Sequence, residues 1–331
     1  MTVKAPNIIL FSLVLLSQQC VRAGDLDSLI WPRPPERPRL KHLTTLSSAA
    51  TFEEETGTFT KVLRFFFGGE QQVPWLVQPV GIAVSKKGII YVADPGAGGV
   101  HRIDQKERKH ALVKTTKYGD FRSPVGLACA DNGTIYITDS ELGVIISTDE
   151  DLDAKDIIRG KALRPTGISI VQNKLYVVDT GKHKIIILDM SGNYVGEFGQ
   201  RGSGDGEFNY PIQIGGRDTL CVVDALNYRV QLFSPDGKFV RSFGRQGNAI
   251  GRFASPKALA LDSDGDIYVT DALMDNFQIF NMQGQLLLSV GQNGTHDGEF
   301  MTPSGIAIDA QDRVYIVDTL NRRVQIFQYL R

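Results

Sequence analysis

The chain has 331 residues, 42% of them hydrophobic, with 36 basic and 37 acidic side chains and a formal charge of −1. That apolar content is enough for a substantial core. The balanced charge argues against nucleic acid as a partner, because binding through phosphates takes a clear basic excess.

Residues 1–23 have the order of a secretory signal peptide: Lys4, an apolar stretch from Ile8 to Leu16, then Val21 and Ala23 at the −3 and −1 positions of a cleavage site. The apolar stretch is too short to span a bilayer comfortably. The expectation is export, to the periplasm or the extracellular space. Membrane attachment would follow only from lipidation of Cys20, and Gln19 stands where a small residue precedes a lipidated cysteine. Cleavage after Ala23 fits better. Without residues 1–23, which hold Lys4 and Arg22 and no acid, the charge is −3. Cys129 and Cys221 would then remain, both at apolar positions of repeated segments, and they read as buried thiols acting as small hydrophobes.

Residues 24–39 contain Trp31–Arg39 (WPRPPERPR), whose four prolines predict an extended polyproline II tether. Residues 40–78 are predicted to hold a closing strand and a short helix. Phe59, Val62, Leu63, Phe66 and Phe67 share one helical face, Thr51 and Glu54 have capping-box spacing, and Gly57 divides the segment.

Residues 79–331 hold six copies of one pattern: a proline, an apolar strand, a polar turn and an apolar strand ending in aspartate. They run Pro79–Asp94, Pro124–Asp139, Pro165–Asp179, Pro211–Asp224, Pro256–Asp271 and Pro303–Asp318, with successive prolines 45, 41, 46, 45 and 47 residues apart. A period of this size with several short strands per unit marks a β-propeller blade. The predicted fold is therefore all-β, a monomeric six-bladed propeller of four-stranded antiparallel blades, although length alone would suggest two domains.

In the fourth copy the strands fall at Ile212–Gly216, Leu220–Val223, Arg229–Phe233 and Lys238–Phe243, with Pro235-Asp236-Gly237 as a tight turn. The first strand should lie nearest the axis, where Gly81, Gly126, Gly167 and Gly305 suit crowding and Gln213 and Ala258 depart from glycine. Asp94, Asp139, Asp179, Asp224, Asp271 and Asp318 read as turn caps that bind backbone N–H groups in the loops that follow. The last copy ends without a fourth strand, so an N-terminal segment should supply it. Arg39–Leu46 (RLKHLTTL) is the predicted donor and Lys61–Phe67 the alternative.

These motifs resemble the NHL repeat, over about residues 79–331. Asp224–Phe233 (DALNYRVQLF) and Asp318–Phe327 (DTLNRRVQIF) carry the resemblance best, with the linkers Phe198–Phe208 and Val290–Phe300. The N-terminal stretch is similar to that of exported bacterial six-bladed NHL proteins. The resemblance implies several activities. Some NHL domains serve cytoplasmic ubiquitin ligases beside a RING finger, but no paired C-x-x-C stands here. Others are amidating lyases with zinc and calcium in the channel, which need converging histidines. The five here, His42, His101, His110, His183 and His296, lie in scattered contexts without H-x-H spacing. Related lactonases hold calcium with acidic and Asn ligands, and no ring of channel carboxylates is evident beyond the repeated aspartates.

Function is expected where the copies differ. Basic and aromatic residues gather in the loops of particular blades: Lys182, His183 and Lys184 in the third, Tyr228 and Arg229 in the fourth, Arg322 and Arg323 in the sixth. Arg201 and Arg245 lie on nearby linkers, and Gln213 sits by the axis. Blades 1 and 2 are smooth there, with Gly96, Gly98, Gly99 and Gly143. The expectation is a non-catalytic binding or assembly module of the cell envelope or extracellular space. It would engage a protein, peptide or glycan through this face, with no cofactor and no catalytic or metal-ligating residues. The alternative is a lyase or hydrolase with a zinc or calcium ion in the central channel.

Overall fold

The structure, a computed structural model, describes residues 29–48 and 75–331. Six antiparallel sheets form the blades of a propeller; in the first five the strands follow chain order outward from the axis, and in the sixth the outer strands come from the N-terminal segment. Blade 4 runs Pro211–Gly216, Leu220–Asp224, Arg229–Phe233 and Phe239–Phe243. Its second strand is buried throughout, because neighbouring blades cover both faces of the sheet. This is why such strands read as continuous apolar runs and not as alternations. The outer strand is only half covered. The opening proline pairs with the strand-ending aspartate across a register shift, at Pro211 and Asp224 as in blades 2, 3, 5 and 6. Proline, with no N–H to donate, suits such a first strand position.

The ring closes as predicted. Leu40–Leu46 lies antiparallel to Arg323–Tyr329, with Leu40 opposite Tyr329 and Leu46 opposite Val324. Leu40 and Leu46 are fully buried, and together they contribute about 3–6 kcal/mol. The helix predicted around residues 59–67, and the alternative strand Lys61–Phe67, lie outside the described residues. So do residues 1–28, and with them the expected leader.

One part of the N-terminal expectation needs correction. From Ile30 on, the proline-rich stretch is not a free tether. Ile30–Trp31 pairs with Leu40–Lys41 as a fifth strand, and the prolines form the turn between. Trp31 meets Phe327 edge-on at 5.7 Å, and that aromatic contact with the last strand draws the chain back.

Side-chain hydroxyls stitch blade to blade. Thr138 donates to the Thr166 carbonyl, Thr180 to Pro211, Thr270 to Ser304, and Thr319 to Pro79, the last across the closure at 2.8 Å. Tyr91, Tyr136 and Tyr176 donate to carbonyls in the next blade, at Glu150, Met190 and Pro235. Cys221 takes the tyrosine position in blade 4 and lies buried; burial pushes its thiol and that of Cys129 up to about 12.

Candidate functional site

The second-to-third strand loops and the linkers between blades share one face, and the repeated aspartates bind them together. Asp94 accepts hydrogen bonds from the N–H groups of Val77 and Gln78 in the linker and of Ala97 in the loop, at 2.7–2.9 Å. Asp139 holds Arg122 and Leu142 in the same way, Asp179 holds Leu163 and Lys182, and Asp271 holds Ala254 and Met274. Asp224 and Asp318 take linker N–H groups from Asn209 and Met301. All six are fully buried. The caps thus reach the preceding linker as well as the following loop. At Asp94, burial opposes ionisation, but bonds from His101 and the backbone outweigh it and hold the carboxyl below its usual range.

The long linkers of blades 4 and 6 are clamped by the N-x-R-V-Q segment. Asn227 donates to the Gly202 carbonyl, Arg229 to Gly204 and Glu207, and Gln231 to Glu207, while Gln231 accepts from the Gly206 N–H. Asn321, Arg323 and Gln325 do the same around Gly294, Thr295, His296 and Glu299. Each arginine is neutralised by the buried aspartate beneath, at 2.9 Å for Arg229–Asp224 and 2.7 Å for Arg323–Asp318.

This divides the predicted binding residues. Arg229 and Arg323 are turned inward as clamps. Lys184 is paired with Glu197 at 2.6 Å. Tyr228 adopts a left-handed conformation, φ 54°, and is half-buried against the blade 4–5 core. His183 accepts the Tyr210 N–H at 3.1 Å and meets the Tyr210 ring edge-on. Lys182 and Arg322 stay exposed, as do Arg201 and Arg245 on the linkers.

Gln213 lines the central channel, a space of about 280 Å³ walled by the six inner strands. A Cβ on Gly81 would overlap the Val125 carbonyl of the next blade, which accounts for glycine there. The channel wall is mostly Ile, Leu, Val and Ala, with Gln213, Ser169 and Arg217 as polar side chains. It offers one thiol, Cys129, and neither carboxylate nor imidazole, so these residues do not fit a zinc or calcium ion. Among the described residues, no group of three or more His, Cys, Asp or Glu converges to hold a metal.

The sequence reading missed two features. The histidines are not all scattered: His101, buried in blade 1, lies 3.3 Å from Asp94 and 2.8 Å from His110. Trp75 stacks on His110 at 4.2 Å. His101 occupies the strand position of Gln231 and Gln325, seven residues after the repeated aspartate in each copy. Burial, with a smaller contribution from His101, depresses His110 to about 4. Exposed aliphatic side chains are the second feature. Leu226, Leu273 and Leu320 stand 50–74% exposed in the loops of blades 4, 5 and 6. Their signal was a leucine two residues after the capped aspartate in three copies, outside any strand.

The ring of blades and the loop-ringed channel define the class, a six-bladed β-propeller. A family profile described as "6-bladed beta-propeller" matches residues 261–329. Comparison with curated protein sequences finds no match. Among solved structures, the chain is similar to a protein of unknown function from Bacteroides thetaiotaomicron (TM-score 0.64, 14% identity, 88% of this chain and 75% of that one). It is also similar to an auxiliary nutrient binding protein from the same organism (TM-score 0.61, 14% identity, 77% and 70%). A third is virginiamycin B lyase from Staphylococcus aureus (TM-score 0.54, 15% identity, 76% and 95%). At these identities the likeness shows the fold alone.

Proposed function

We propose that the protein is a non-catalytic binding module of NHL type, exported to the periplasm or extracellular space. It engages a protein, peptide or glycan through the loop face. One observation carries this reading. On that face the scaffold positions are internally satisfied, while Lys182, Arg322, Leu226, Leu273 and Leu320 project from the same loops. The opposite turns are short and largely self-bonded, as where Asp189 accepts the N–H groups of Ser191 and Asn193. A similar fold described as nutrient binding agrees with the reading. The lyase alternative lacks converging donors in the channel.

The test is affinity purification from the native host with three forms of the chain: unaltered, Lys182→Glu with Arg322→Glu, and the turn-face control Lys174→Glu. Reproducible partners should be lost with the double variant and kept with the control. Retention by the double variant, or stoichiometric metal in the purified chain, counts against the reading.

A further inference from the structure

Each blade has an exposed aliphatic side chain in its second-to-third strand loop or in the linker packed beside that loop, and the linker into blade 5 adds Ile250. Two residues after the capped aspartate stand Gly96, Glu141, Gly181, Leu226, Leu273 and Leu320. Blades 4, 5 and 6 expose their leucine there. In blades 1 and 3 the position is glycine, and the linker fills it instead. A Cβ on Gly96 would lie 3.2 Å from Val77 Cγ1, and one on Gly181 3.0 Å from Leu163 Cδ2. In blade 2 the next residue, Leu142, takes the part. These six side chains, Val77, Leu142, Leu163, Leu226, Leu273 and Leu320, are 41–74% exposed. A single exposed leucine needs no explanation. Six on one face, one from each blade and supplied by either of two segments, form a patterned set of exposed apolar side chains.

Charge indicates what covers it. Arg122, Arg164, Lys182 and Arg322 are exposed among the six, against Glu141. Of the other acids on this face, Asp275 is engaged with Asn293 and the Thr302 N–H and Glu299 with Gln292 and His296, while the exposed Asp205 is outnumbered by the exposed Arg201 and Arg245 on the linkers. The surface is therefore an apolar ring with a net positive rim. A second copy would set like charge against like, and a glycan alone would leave the leucines uncovered.

We propose, building on the binding-module reading, that this crown docks a polypeptide whose contact surface carries aliphatic or aromatic side chains among carboxylates. The apolar ring supplies contact area, and the basic rim selects for acidic neighbours and speeds encounter.

Selection from a random peptide display library on the purified chain tests this directly. Enriched peptides should combine Leu, Ile, Phe or Trp with Asp or Glu. Their affinity, read by fluorescence anisotropy, should fall about fivefold for each of Leu226→Ser, Leu273→Ser and Leu320→Ser, with native melting behaviour, since the removed groups are exposed. Lys182→Glu with Arg322→Glu should weaken the same peptides. Enrichment of basic or purely polar peptides that still depend on Lys182 and Arg322 overturns this proposal and leaves the binding-module reading standing. Peptides indifferent to every loop-face change, or no enrichment at all, remove both. Competition by a synthetic peptide of residues 49–74 would make this chain's own segment the occupant. Self-association lost on Leu→Ser substitution would make it a second copy. Either result also overturns the proposal.

Discussion

Arg322 and Arg323 are adjacent in sequence and opposite in role, and exchanging each separates scaffold from surface. Arg323 has a side chain 9% exposed, against an Asp318 carboxylate that is fully buried. It donates to Asp318 at 2.7 Å and to the carbonyls of Thr295, His296 and Glu299 at 2.7–2.8 Å. Arg323→Met keeps much of the length but leaves a buried carboxylate without its cation and the Thr295 carbonyl without a donor, while the Glu299 and His296 carbonyls keep Gln325 and the Glu299 N–H. Breaking such a pair costs about 3–5 kcal/mol. For a chain of this size that lowers Tm by roughly 10 °C, at a few degrees per kcal/mol. Arg322 is exposed with φ 53°, where Asn is tolerated, so Arg322→Asn should move Tm by less than about 2 °C. Thermal unfolding followed by circular dichroism measures both. The clamp account fails if Arg323→Met melts with the unaltered chain, or if Arg322→Asn is the more damaging change.

Leu40→Ala, in the strand that completes blade 6, should destabilise by about 2–5 kcal/mol in denaturant titration, because its side chain is fully buried in the last blade's core. Acid should destabilise the fold between about pH 6.5 and 4. In the folded chain His110 stays neutral down to about 4, while the unfolded chain takes up its proton near 6.5, so stability is lost as pH falls through that window. His110→Gln should flatten that part of a Tm-against-pH curve. Asp266 has the opposite sign: burial, then Asp262 and Asp264, raise it to about 6, so its ionisation costs stability as pH rises through 6. Asp266→Asn should therefore raise Tm at pH 7.5 and leave it unchanged at pH 4. With Cys20 and Cys129 replaced by Ser, Cys221 should resist a thiol reagent at pH 8 until the chain unfolds, because it is fully buried and burial holds its thiol near 12.

The blades and the closing strand were legible because they are written as periodicity. Proline, apolar strand and aspartate recur at nearly constant spacing, and the LKHLTTL segment has the half-covered alternation of an outer strand. Which charged loop residues face outward was not legible. Arg322 and Arg323 carry the same charge, and only the long linker folding back over Arg323 turns one into a clamp. The aliphatic crown was hidden for a related reason. Val77 and Leu163 stand on linkers, Leu226 and Leu273 on loops, and the common position exists only once glycine contacts show one segment filling the place of the other. The His101–His110 pair likewise needed the pairing of the third and outer strands of blade 1.

The most direct test of a loop-face binding module is hydrogen exchange on the chain with and without a captured partner. Protection confined to the loops at 95–98, 140–143, 180–183, 225–228, 272–275 and 319–322, with their neighbouring linkers, is the predicted result. Protection at the opposite turns, such as 86–88 and 235–237, with the loops unchanged, would contradict it.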